Sequence, residues 1–142
     1  MKRYRFRLES VLRVRRVQED VARGELARAN TAVTAAAAAL DAARDRLAHT
    51  ASEPAPADAL EWQARRALLL GRAEEISARG ADLEAASTAR TDRQRALAEA
   101  RTRVRALERL DERRRAEHAV ESARDESRTM DDLVTARWGR SS

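Results

Sequence analysis

The chain has no cysteine, one lysine, one phenylalanine, one tyrosine, two prolines and four glycines in 142 residues. Without cysteine there is neither a disulfide framework nor a thiolate metal site. Aromatics make up 3% of the residues and charged side chains 37%, which excludes the dense core of an ordinary globular domain. Arginines interrupt every apolar run, so no stretch approaches a membrane span. The start, MKRYRFRLESVLRVRRV, is basic like a signal peptide but has no apolar h-region. The expectation is a protein that stays in the cytoplasm.

Catalytic constellations are equally scarce. His49 and His118 lie in different arms, without carboxylates set as metal ligands, and read as solvated helix residues. There is no glycine-rich phosphate loop and no nucleophile elbow, and Ser10, Ser77 and Ser87 lack a base. We expect no catalytic residue, no cofactor and no metal: the protein is not an enzyme.

What the chain does have is alanine, glutamate, leucine and arginine, all strong helix formers. An all-α, elongated protein follows. The net charge is +5, and an arginine-rich genome composition accounts for that excess as well as function does. Its clustering is more informative: residues 1–16 carry seven basic side chains against Glu9, and residues 90–115 carry ten against five acidic ones. Both regions favour an acidic partner.

One stretch breaks the helical pattern, ASEPAPAD, where Pro54 and Pro56 remove backbone donors and turn the preceding residues out of the α region. Asp58 and Glu61 follow in capping-box spacing. The spacing predicts a first helix over about residues 5–50, a turn over 51–58 and a second helix over about 59–137, in a single hairpin spanning 1–142.

Leu12, Leu26, Val33, Leu40 and Leu47 share one seven-residue register, with Ala22, Ala29, Ala36 and Ala43 three positions after its members. On the second arm Trp62, Leu69, Ile76, Leu83, Leu97 and Val104 do the same, with Ala73, Gly80 and Ser87 four positions after theirs. These are coiled-coil seams. An antiparallel pairing with position numbers summing to 109 sets Leu47 against Trp62, Leu40 against Leu69, Val33 against Ile76, Leu26 against Leu83 and Leu12 against Leu97. Layers of small residues alternate with these, Glu19 meets Arg90 in a polar layer, and Trp62 clamps the hairpin beside the turn. Val11, Val14, Val17 and Val21 fit the seam poorly, as a stutter would allow.

The first helix then has no residue to set beyond Val104, and RALERLDERRRAEH, residues 105–118, opens an overhang. At 1.5 Å per residue the helices measure roughly 120 Å and 70 Å, leaving roughly 50 Å unpaired. A helix with so little burial frays or binds a partner. The fold class expected is therefore a long antiparallel two-helix coiled-coil hairpin whose second helix overhangs. Near its turn, Leu60, Leu68 and Leu70 lie off the seam and form an apolar patch, Leu68 the most outward.

Three stretches resemble a known family: FRLESVLRVRRVQE, the proline-broken turn followed by Trp62, and ARTRVRALERLDERRRAEH running on to ESARDESRTMDD. They look like the FliJ proteins of the bacterial flagellar type III export apparatus, over nearly the whole chain. The resemblance implies a hairpin similar to the central stalk of rotary ATP synthases. Its paired ends would enter and stimulate a hexameric export ATPase, in support of flagellum assembly and motility. It also implies contacts with the membrane-embedded export gate and with export chaperones, and a place in the cytoplasm at the inner face of the cell membrane. On that reading Arg3, Arg5, Arg7, Arg13, Arg15, Arg16, Arg105, Arg109, Arg113, Arg114 and Arg115 face the ATPase ring, where arginine's planar fork engages carboxylates and helix-end carbonyls. Leu60, Leu68 and Leu70 contact the gate or a chaperone. The protein acts as a monomer with protein partners and no small-molecule substrate.

Two other readings compete. A pI near 10.9 with clustered arginines is the footprint of phosphate contact, but acidic residues are interleaved throughout and no groove-reading motif or aromatic platform is present. A structural coiled coil whose basic, valine-rich first helix lies on anionic lipid is the other.

Overall fold

The computed structural model describes residues 3–139. The fold is all-α, two long helices packed against each other with no strand among the described residues. Helix α1 runs Glu9–Ser52 and α2 runs Ala59–Trp138. Residues 20–99 form one compact unit, and the two ends of the chain, residues 1–19 and 100–142, form another. No proline or glycine marks this division.

At the turn, Asp58 accepts from the Glu61 amide at 2.8 Å, and the Glu61 carboxylate accepts from the Ala57 amide at 2.8 Å. Both carboxylates thus satisfy amides that the helix start would leave unpaired. The loop does not simply reverse the chain. Arg65 donates to the Pro54 carbonyl at 2.7 Å and pairs with Glu53 at 3.3 Å, so the loop lies along the first two turns of α2.

That arrangement displaces the register. In residues 20–99 the bonds between helices include Arg46 to Glu75 and Arg93 to Glu25, with position numbers summing to 121 and 118, not 109. The start of α2 faces the loop, and the end of α1 falls across from residues further along. Trp62 is consequently 60% exposed and clamps nothing. Sums near 119 define a register that sets Ala43 opposite Ile76, Ala36 opposite Leu83 and Ala22 opposite Leu97, a large residue against a small one in each layer. Ala43 has 0% exposure and Leu40 7%, while Leu26, Val33, Leu47, Leu69, Ile76 and Leu83 are half-buried. Ala73, expected in the seam, is exposed, and Arg72 is half-buried in its place. Arg72 and Arg90 lay their stems over the seam, each with a buried Nε that bonds to no protein group.

In the other unit Leu12 and Val104 are 6% and 5% exposed. Glu19 pairs with Arg101 at 3.6 Å, not with Arg90, and Arg16 with Glu108 at 3.1 Å. The helix begins at Glu9 rather than near Arg5. Residues 3–6 are irregular and run along α2, with Tyr4 bonded to Asp111. Four extended residues reach ~13 Å, about twice the ~6 Å that they would cover as helix. The overhang therefore opens later than Arg105: Leu107, Glu108, Leu110, Asp111 and His118 remain half-buried, and from Ala119 to Gly139 every residue except Ser122 is exposed.

Candidate functional site: an arginine-rich end and a leucine-rich tip

The first candidate surface belongs to the unit made by the chain's two ends. Of the expected ring-facing residues, Arg15 is half-buried and the other ten are exposed. Arg15 bonds Gln18, Arg16 pairs with Glu108, Arg114 with Glu117 and Arg115 with Asp111. Arg3, Arg5, Arg7, Arg13, Arg105, Arg109 and Arg113 make no hydrogen bond or ion pair with a described residue, so their guanidinium groups are available.

Tyr4 organises this surface. Its hydroxyl donates to the Asp111 carboxylate at 2.7 Å, its ring centre lies 5.6 Å from that of His118, and the Arg115 guanidinium sits over the ring at 5.6 Å. His118 is thus a packed residue, not the solvated one its sequence context implies. Loss of hydration and then the Asp111 carboxylate raise the Tyr4 phenol above its ordinary value. The Tyr4 bond, followed by Arg115, holds Asp111 below the usual carboxylate range. Arg3, Tyr4, Arg5, Arg16, Asp111 and Arg115 are among the residues lining an open concavity of about 550 Å³. Such a surface can bind carboxylates through paired N–H donors.

The second surface is the tip, within residues 20–99. Leu60, Leu68 and Leu70 are 76%, 45% and 58% exposed, so Leu60, not Leu68, is the most outward. Trp62 joins them: with Pro56, Leu69, Leu70 and the stems of Arg65 and Arg66 it lines a concavity of about 520 Å³. Sequence reasoning missed Trp62 as a surface residue because its heptad position alone assigns it to the seam. The length of the turn, six residues from Glu53 to Asp58, was the available sign, since a loop that long can lie along the start of α2.

His49 is exposed, and no group of three or more metal-ligating side chains occurs among the described residues. No helix among them is long and apolar enough to cross a membrane.

Compared with known families, the flagellar FliJ protein family matches residues 4–142. The chain belongs to the FliJ family. No curated protein and no solved structure matches it. FliJ membership places the chain in flagellar type III protein export, as a structural or escort component whose partners are proteins of the export apparatus. The two surfaces described above are therefore candidates for protein contacts.

Proposed function

We propose that the chain binds and stimulates the hexameric flagellar export ATPase through its arginine-rich end, and couples it to the export gate and to chaperones through its tip. The observation that carries this reading is the set of unengaged guanidinium groups, Arg3, Arg5, Arg7, Arg13, Arg105, Arg109 and Arg113, gathered in one unit. Arginine forks suit the carboxylates and carbonyl ends of helices that line the inside of a protein ring. At the tip, Leu60, Leu68 and Leu70, with Trp62 added, supply the apolar centre of a contact for the gate or a chaperone. The protein works in the cytoplasm, peripheral to the cell membrane at the flagellar base.

The test mixes the chain with the export ATPase of the same organism and measures hydrolysis and hexamer formation. Stimulation that disappears when the chain is cut after Val104, together with loss of motility, supports the proposal. No change in hydrolysis or assembly, and normal motility after that truncation, would overturn it.

A further inference from the structure

Two helix faces in the unit formed by the chain's ends are apolar and uncovered. On α1, Val14 and Val17 are 55% and 57% exposed and point away from the seam that Leu12 and Glu19 enter; the same spacing reaches Val21 further along the helix. On the overhang of α2, Val120, Ala123, Ser127, Met130 and Val134 follow one another at alternating steps of three and four. Val120, Met130 and Val134 are 51%, 65% and 55% exposed, and Leu133 and Trp138 beside them are 61% and 78% exposed. Alternate steps of three and four are the seam spacing of a helix that expects a partner helix.

The two faces carry opposite charge. Residues 117–132 hold Glu117, Glu121, Asp125, Glu126, Asp131 and Asp132 against Arg124 and Arg128. Around the valines, residues 13–23 of α1 hold Arg13, Arg15, Arg16 and Arg23 against Glu19 and Asp20.

We infer that a second copy of this chain covers both faces, each copy's overhang lying alongside the other's α1 in the same chain direction. Setting Val17 beside Met130 also sets Val14 beside Ser127 and Val21 beside Val134, because both helices repeat the same steps. Arg13 then flanks Asp131 across the interface, and Gln18 flanks Glu126. The overhang from Ala119 to Trp138 is ~30 Å of helix. Each copy owns one face of each kind, so a two-fold arrangement satisfies all four faces and closes. An anionic bilayer offers no such match: it attracts the basic valine face but repels the acidic overhang. This inference goes beyond the ATPase reading and shares Arg13 with it; it is tested on the isolated chain, so its failure is read apart from the failure of that reading.

The chain's lack of cysteine makes the test direct. Val17→Cys and Met130→Cys are made as separate proteins, with circular dichroism confirming unchanged helix content. The unmodified chain should sediment as a dimer at physiological salt. The oxidised mixture of the two variants should give several-fold more linked dimer than either alone. Val134→Glu combined with Met130→Glu should raise the dimer dissociation constant at least about tenfold, since two buried carboxylates face an apolar strip. A monomer at every concentration, or equal linking in each single variant, overturns the inference. So does a monomer that co-sediments with phosphatidylglycerol vesicles, which would assign the valine face to lipid.

Discussion

At the scale of single residues, Tyr4 decides how the start of the chain is held. Its phenol must be protonated and the Asp111 carboxylate charged for their bond to form. Asp111 titrates below its ordinary 3.8, so the bond's contribution is present above that value and lost as pH falls through the lowered one. Tyr4 titrates above its ordinary 10.0, so the contribution is present below that value and lost as pH rises through the raised one. Hydrogen exchange of residues 3–8 should therefore quicken at both extremes of pH. Tyr4→Phe keeps the ring over His118 but removes the donor. It should move the Asp111 titration upward, as read by carboxyl NMR, and leave unfolding of residues 20–99 unchanged. An Asp111 titration that stays put would show that Arg115 and Arg16 depress it without Tyr4. None of this was visible in the sequence. Tyr4 and Asp111 are 107 positions apart, and a charged, unpatterned segment around each discloses no preference for the other.

At the scale of helices, the seam residues and the cap set stability, and the ion pairs between helices add little. Arg16 and Glu108 are 57% and 41% exposed, and pairs so wet contribute little. Ala43, with 0% exposure, has no room to grow. Ala43→Leu should cost about 1–3 kcal/mol in urea unfolding, because the helices must separate to admit it. Had the register summed to 109, Ala43 would lie against Arg66, which can swing aside; an unchanged midpoint would point to that pairing. Asp58→Ala should cost about 1 kcal/mol by leaving the Glu61 amide without its acceptor. The spacing of Leu12, Leu26, Val33, Leu40 and Leu47 tells which face of α1 turns inward, and the prolines tell where it ends. Spacing is silent about which layer meets which. Two heptad seams can slide past one another and still bring apolar residues together, and the sum of 109 is one of several such fits.

At the scale of the whole molecule, the proposed ATPase contact rests on charge that the fold leaves unspent. Reversing Arg109→Glu and Arg113→Glu in one protein should lower ATPase stimulation about tenfold or more, by placing like charge against an acidic partner surface. Circular dichroism of that variant should match the unmodified chain, because neither arginine pairs with a described residue. Undiminished stimulation would remove these two residues from the contact. The clustering of arginine near residues 1–16 and 90–115 was legible from composition along the chain. The individual availability of each was not, since pairing with Glu108, Asp111 or Glu117 depends on neighbours across and along the helices.

The amino-acid sequence by itself determined two helices, the turn between them, the inward face of α1 and a continuation of α2 beyond the length of α1. Each follows from local propensity, proline geometry or the period of apolar residues, which need no knowledge of the other arm. Tertiary structure alone decided the pairing near 119, the release of Trp62 to the surface, the Tyr4 contact and the point where α2 becomes bare. Those depend on how far a six-residue loop and an extended start reach along the facing helix, and on large side chains seating against small ones, which a repeating pattern permits in more than one alignment.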